Sequence, residues 1–247
     1  MLTERRQELI LDLLSRKGSI TVSEIKEKFN ASESTIRRDL NYLHKMGRLT
    51  KVFGGAVLKE QSLITEELSV SQKSNVNLEN KNRIAEYAAG LITKGDFIYL
   101  DAGTTTECML QYVTEKSAVF VTNAVAHAKK LANAGYKVIL IGGELKGTTE
   151  AVVGSEAVMS IHNYHFTKGF FGTNGITVKA GYTTPDYNEA LVKKTAMLNC
   201  QKRYILADSS KFGEVSAVTF GEIEAAKIIT NENPGEAFKN LDNIVVI

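Results

Sequence analysis

The stretch Asp101-Ala102-Gly103-Thr104-Thr105-Thr106 places a carboxylate, a glycine and three consecutive hydroxyls within six residues. Standing between an apolar run and a helical one, it offers backbone N–H groups and hydroxyl donors that suit a phosphate. Four more segments share this small, polar character: Thr122-Asn123, Gly142-Gly143-Glu144, Thr173-Asn174-Gly175 and Asp208-Ser209-Ser210-Lys211. Lys211 supplies a compensating point charge, while Asp101, Asn123, Asn174 and Glu189 are acceptors of the kind that fix sugar hydroxyls. One such loop is often just a strand-to-helix turn. Five of them point to one binding rim for a small phosphorylated ligand.

A second constellation lies near the N-terminus. Removing the apolar stripe Ile36, Leu40 and Leu43 from the helix expected after Ser32 leaves Ser34, Arg37, Arg38, Asn41 and Lys45 on the opposite face, a row of donors without a carboxylate. Such a face suits a DNA major groove, where arginine pairs with a guanine edge and hydroxyls contact phosphates. Asp39 is expected to partner a nearby base internally. An ordinary basic surface helix is the plainer alternative.

The elements that would hold this face follow from capping signals and periodicity. A first helix capped by Thr3 runs to about Ser15, burying Leu9, Ile10, Leu13 and Leu14, and Gly18 ends it. Thr21-Val22-Ser23-Glu24 fits a capping box, with Val22, Ile25 and Phe29 following at helical spacing. Ser32 caps the third helix and Gly47 stops it. Two helices across a short turn make a helix-turn-helix. The run Arg48 to Val57, with Gly54-Gly55, then reads as a β wing that brings Arg48 and Lys51 near flanking phosphates.

Residues 59–79 are polar and aperiodic and read as a linker with room for a short helix; a helical pattern returns from Lys81. Seven short apolar runs follow: FIYL at 97, AVFV at 118, KVILI at 137, GFFG at 169, YILA at 204, KIIT at 227 and IVVI at 244. Near-continuous apolarity marks strands covered on both faces, hence a doubly wound, mostly parallel α/β sheet. In such a sheet ligands bind beyond the carboxyl ends of the strands, where the five polar segments fall. The expected organisation is a small DNA-binding domain at 1–58, a linker at 59–79 and an effector-binding domain at 80–247.

Charge and composition agree with this division. Positions 1–60 hold 12 Lys/Arg against 8 Asp/Glu, whereas the other 187 residues hold 18 against 20, so the basic excess lies where a polyanion would be met. No apolar run approaches the length of a membrane span, and the charged start lacks a signal-peptide pattern, which together point to the cytoplasm. Cys108 and Cys200 are far apart and read as reduced structural thiols. His162 and His165 lack a clear third ligand, so no metal is expected, and His44 and His127 receive no role. Neither GxxxxGK[ST] nor, after the first strand of the larger domain, GxGxxG is present, which argues against a nucleotide cofactor.

The run Ser32-Glu33-Ser34-Thr35-Ile36-Arg37-Arg38-Asp39-Leu40, with Gly54-Gly55-Ala56 after it, resembles the winged helix-turn-helix signature of the DeoR family of bacterial transcriptional regulators. The pieces DAGTTT, VTNA, GGELK, FFGTNGIT, Asn188-Glu189-Ala190 with Lys193 and Lys194, and ADSSKFG resemble that family's sensor domain. The resemblance implies a sensor fold similar to ribose-5-phosphate isomerase. It further implies operator DNA held by Ser32, Ser34, Thr35, Arg37 and Arg38, and a sugar-phosphate effector held by Asp101, Gly103, Thr104, Thr105, Thr106, Thr122, Asn123, Gly143, Asn174 and Lys211. Phe53, Ala102 and Ser209 depart from the family pattern.

The expected function is thus a non-enzymatic regulator, most often a repressor in this family, acting on a sugar-utilisation operon. One recognition helix reads too few base pairs, so a dimer or tetramer is expected. The competing reading is a sugar-phosphate isomerase using Glu189 or Asp186 as base and Lys211 or Lys193 against the phosphate or enediolate oxygen. A basic helix-turn-helix in front favours the regulator.

Overall fold

The computed structural model describes residues 3–45, 48–57, 63–64 and 68–247. The chain divides into two units, Met1–Ser62 and Leu63–Ile247.

In the first unit, α1 (Thr3–Lys17) begins at Thr3 itself and ends at Gly18, whose φ of +75° is the left-handed exit that glycine favours. A strand not expected from the sequence, β1 (Ser19–Thr21), leads into α2 (Val22–Phe29). The capping box is formed: Thr21 Oγ1 accepts from Glu24 N–H at 3.2 Å and Thr21 N–H donates to the Glu24 carboxylate at 2.8 Å. Helix α3 (Glu33–Lys45) starts after Ser32, whose hydroxyl accepts from Thr35 N–H at 3.3 Å. The expected stop at Gly47 lies outside the described residues. Strands β2 (Thr50–Val52) and β3 (Gly55–Val57) form the wing, and β1 joins them in the antiparallel order β1-β3-β2. Gly55 is required there, because a Cβ would stand 2.1 Å from the Ile20 carbonyl oxygen. Ile10, Leu14, Ile25, Ile36, Leu40 and Leu49 fill the core between helices and wing.

The second unit opens with β4 (Leu63–Ile64), α4 (Val70–Ser74) and α5 (Leu78–Ala89). By contacts the division falls after Ser62, and Leu63–Ile64 with residues 68–79, within the stretch expected to be a linker, group with the larger unit. Ser69 caps α4 through Gln72, and β4 pairs with a strand far along the chain, signals that the polar composition hides.

The chain then alternates through β5 (Phe97–Leu100), α6 (Thr104–Met109), β6 (Val119–Thr122), α7 (Val125–Asn133) and β7 (Lys137–Leu140). A hairpin of β8 (Glu144–Lys146) and β9 (Ala151–Val153) precedes α8 (Ser155–His162) and β10 (Phe166–Gly172). Next come β11 (Gly175–Thr177), β12 (Gly181–Thr184), α9 (Tyr187–Leu198) and β13 (Cys200–Leu206). The remaining strands are β14 (Val215–Ser216), β15 (Val218–Gly221), β16 (Lys227–Thr230) and β17 (Ile244–Val246).

All seven apolar runs become strands of one parallel sheet, in the order β17-β16-β13-β10-β5-β6-β7. Consecutive side chains go to opposite faces, so Ile98 and Leu100 join a core with α5, α6 and α7, while Tyr99 joins another with α8 and α9. The sheet is therefore doubly wound. Two features add to the expected plan: the β8–β9 hairpin and an antiparallel sheet β11-β12-β15. Among the described residues no helix is long and apolar enough to cross a membrane.

Candidate functional site

The two constellations fall in separate units. On α3, Ser34, Arg37, Arg38, Asn41 and Lys45 are all exposed, opposite the buried Ile36, Leu40 and Leu43. The face is not free of carboxylate, however. Exposed Glu33, one turn before Arg37, accepts from Arg37 at 2.7 Å, so this arginine starts from an ion pair. Arg38 has no such partner among the described residues. Ser32 gathers the hydroxyls of Ser34 at 3.0 Å and Thr35 at 2.8 Å around the helix start. Lys51 on the wing donates to Asn41 Oδ1 at 2.6 Å, joining wing and helix face, and Arg48 is exposed beside them. Phe53 stands fully exposed at the wing turn.

Asp39 lies on the inward side, where Arg6 of α1 donates to it from Nε at 2.5 Å and from Nη2 at 3.3 Å. The internal partner expected for Asp39 is thus Arg6.

In the larger unit the polar segments follow β13, β10, β5, β6 and β7, which are neighbours in that order, so their loops share one rim. Asp101 is buried, and its Oδ2 accepts from Gly172 N–H at 3.0 Å and from the ammonium of Lys193. Its other oxygen, Oδ1, has no partner among the described residues. Burial raises the Asp101 pKa and the Lys193 charge opposes that rise. Lys193, on α9, also donates to the Gly172 carbonyl at 3.3 Å.

Several polar groups on this rim fasten loops. Thr106 is buried and donates to the carbonyls of Asp101 and Gly103, both at 2.8 Å. Thr122 accepts from Ala124 N–H at 3.0 Å, and Asn123 bridges Ala102 N–H at 2.9 Å and the Val152 carbonyl at 3.3 Å. Gly143, with φ of +142°, passes so close to β9 that a Cβ would meet the Val153 carbonyl oxygen at 2.7 Å. These four residues shape the rim from below.

Other groups remain available. Thr104 and Thr105 are half-buried, and their hydroxyls have no partner among the described residues. Gly103 precedes them in extended backbone at the start of α6. Asn174 accepts from Thr184 Oγ1 at 3.3 Å, which leaves its amide nitrogen. Half-buried Lys211 ends the short turn Ser209–Lys211 and has no carboxylate partner among the described residues.

Glu189 is buried and occupied: Thr149 donates to it and Lys146 lies 3.4 Å away, with Asp186 2.9 Å from the same lysine. Burial would raise the Asp186 pKa, but the Glu189 N–H bond and Lys146 outweigh it and bring the pKa down. Sequence reading assigned Lys193 only to the isomerase alternative and missed Lys146, Thr149 and Lys81. Lys81 is buried, donates to the Lys73 carbonyl at 2.5 Å, and feels both Asp208 and Lys211; burial lowers its pKa. Among the described residues no group of three or more His, Cys, Asp or Glu is placed to hold a metal ion.

A winged helix-turn-helix followed by a doubly wound domain with a polar strand-end rim defines a DNA-binding regulator with its own sensor. Residues 6–62 match the DeoR-like helix-turn-helix domain and residues 76–232 match the DeoR C terminal sensor domain. The chain belongs to the DeoR family and is a DNA-binding transcriptional regulator.

It is 42% identical over 248 residues to the uncharacterized HTH-type transcriptional regulator FruR of Bacillus subtilis, covering 100% of this chain and 98% of that protein. It is 30% identical over 252 residues to the lactose phosphotransferase system repressor of Streptococcus mutans, covering 100% and 99% of the two chains. Among solved structures, ribose 5-phosphate isomerase A from Methanocaldococcus jannaschii matches 55% of each chain with a TM-score of 0.40 and 14% identity.

Proposed function

We propose that this chain represses a sugar-utilisation operon, and that a small phosphorylated sugar bound at the strand-end rim changes its affinity for operator DNA. The observation that carries the reading is the set of unengaged donors on that rim: the Lys211 ammonium with the Thr104 and Thr105 hydroxyls. A phosphate satisfies all three, and the Asn174 amide reaches for a sugar hydroxyl. The lactose phosphotransferase system repressors among its relatives support both the sugar and the repression.

On this reading Ser32, Ser34, Thr35, Arg37, Arg38 and Asn41 face the major groove and Arg48 and Lys51 the flanking phosphates. The protein acts in the cytoplasm as a dimer or larger oligomer, because two recognition helices are needed for an operator. The isomerase alternative is disfavoured by the engagement of Glu189 with Thr149 and Lys146 and of Lys193 with Asp101.

Thermal unfolding with phosphates of fructose, tagatose, glucose and deoxyribose, each beside its unphosphorylated parent, tests the reading. A ligand at 100 times its Kd adds about 2.7 kcal/mol, a shift of several degrees for a chain of this size. One sugar phosphate should raise Tm and alter operator binding while its parent does neither. Turnover of the same compound, removed by Glu189→Gln, would replace repression with catalysis.

A further inference from the structure

The segment that opens the larger unit is fastened to the effector rim at three places. Leu63 and Ile64 run parallel to Val215 and Ser216, just beyond Lys211. Val70, the first residue of α4, donates its N–H to the Thr148 carbonyl at 3.2 Å, and the next residue, Thr149, holds Glu189. Asn77 donates from its side-chain amide to Asp208 Oδ1 at 3.0 Å and lies 3.4 Å from Ser210 Oγ, in the turn that ends at Lys211. The Asp208–Lys211 turn, which carries a candidate effector group, and the Thr148–Thr149 turn, which holds Glu189, thus also hold Val70 and Asn77.

Asn77 is the most constrained of these contacts. Its φ of 53° and ψ of 36° place a non-glycine residue in the left-handed region, which persists where the surroundings hold it. Its partner Asp208 is buried and also accepts from Ser210 N–H at 3.0 Å and Ser210 Oγ at 2.5 Å, so the turn that presents Lys211 sets its position. Beside the α4–α5 corner lies a groove of about 580 Å³, lined by Ser74 and Asn75 on one side and by Thr104, Glu107 and Lys130 on the other. The corner therefore has open space next to the phosphate cradle.

We propose that β4 and residues 68–78 form a strap that reports occupancy of the rim, with Asn77 as the positioning residue that couples it to the Asp208–Lys211 turn. This rests on the rim being the effector site. A phosphate drawn to Lys211 resets that turn, Asn77 moves with it, and the displaced strap alters the chain continuous with the DNA-binding unit. The effector must bind the two strap positions with different affinity, since otherwise it shifts nothing.

Two substitutions cut two ties independently. Asn77→Gly keeps the left-handed backbone and removes the side chain with the amide that reaches Asp208. Val70→Pro deletes the N–H bonded to Thr148 at the first helical position, where proline is tolerated; Ser69, at φ −65° and ψ 163°, already has the extended conformation a following proline requires.

In the full-length protein, the fructose, tagatose, glucose and deoxyribose phosphates are titrated against thermal unfolding and against an operator selected from a random-duplex pool. For the sugar phosphate that acts on the wild type, a response of about 5–150-fold in operator affinity is expected. Each variant should keep its operator affinity and its Tm shift, while that response falls below about 2-fold.

Variants that respond like the wild type overturn the strap and leave the effector reading intact. Loss of the Tm shift in both variants would make these residues part of the binding site itself and also overturn the strap. A wild type whose Tm ignores every sugar phosphate removes the effector reading, and the strap with it.

Discussion

Arg6 and Asp39, 33 positions apart, form a two-point ion pair between α1 and α3, with Nε donating to Oδ2 at 2.5 Å and Nη2 to Oδ1 at 3.3 Å. Gln7 adds a third bond to Asp39 Oδ1 at 3.1 Å. Both charged side chains are buried, so the pair fixes the rotation of α3 and with it the direction in which Arg38 points. Removing one partner strands the other charge, at a cost of about 3–5 kcal/mol. Arg6→Met should therefore unfold the small unit at a lower temperature and abolish operator binding, while the larger unit keeps its melting transition and its sugar-phosphate shift. Calorimetry of the full chain checks this, and a joint collapse of both transitions would contradict the independence of the units.

Arg37 and Arg38 are neighbours with different starting states. On the proposed DNA contact Arg37 would leave an ion pair with Glu33, whereas Arg38 has no ion-pair partner among the described residues. An exposed pair of this kind is worth less than about 1 kcal/mol. Arg38→Ala should weaken operator affinity by about 1–3 kcal/mol and relax specificity at the base it reads. Glu33→Gln should instead tighten binding slightly by releasing Arg37. Titrations at several salt concentrations separate the roles, because each phosphate that is no longer neutralised lowers the slope of log K against log salt by about 0.9. Sugar-phosphate affinity should be unchanged in both variants.

The two units differ in how much of them was legible. The seven strands of the parallel sheet were readable because each is an unbroken apolar run, as burial on both faces demands of the inner strands; the edge strands β7 and β17 keep such a run although only partly buried. The strands GIT, GYTT and VTFG are glycine- and threonine-rich and only three or four residues long, so β11, β12 and β15 carry no such signal. Loop positions at the strand ends were readable too. Their assignment was not, because a threonine that ties down its own loop and one whose hydroxyl is left open have the same sequence appearance; Thr106 does the first, and the Thr105 hydroxyl has no partner among the described residues. Lys81 is not readable as a site residue, and Lys193 enters only the isomerase alternative, because burial of an ammonium depends on partners such as the Lys73 carbonyl and the distant Asp101 that spacing does not reveal.

Lys211 and Thr105 give the complementary prediction for the rim. Lys211→Ala removes the cation that a phosphate would meet, and Thr105→Ala one hydroxyl of the cradle. Neither side chain holds a partner within the described residues, so stability without ligand should change by less than about 0.5 kcal/mol. Lys211→Ala should abolish the sugar-phosphate shift in Tm, with operator binding retained and no longer responsive. Thr105→Ala should reduce the shift in proportion to one missing charge-assisted hydrogen bond, about 1.5–3 kcal/mol. Retention of the full shift by both variants would place the phosphate elsewhere.

His127 supplies the pH dependence. It lies buried on α7, and its Nδ1 has no partner among the described residues. Burial pushes its pKa down from 6.5 to about 4; the Glu107 charge and the nearby Gly103 backbone oppose this fall and Lys130 adds to it. The folded chain thus keeps the ring neutral while the unfolded chain takes up a proton below pH 6.5. Stability from this source is complete above pH 6.5 and is lost as pH falls from 6.5 to 4, by about 3 kcal/mol. His127→Gln removes the titration, so its melting temperature should fall less steeply than the wild type's across that window. Parallel melting profiles for the two proteins would show that His127 does not govern acid sensitivity.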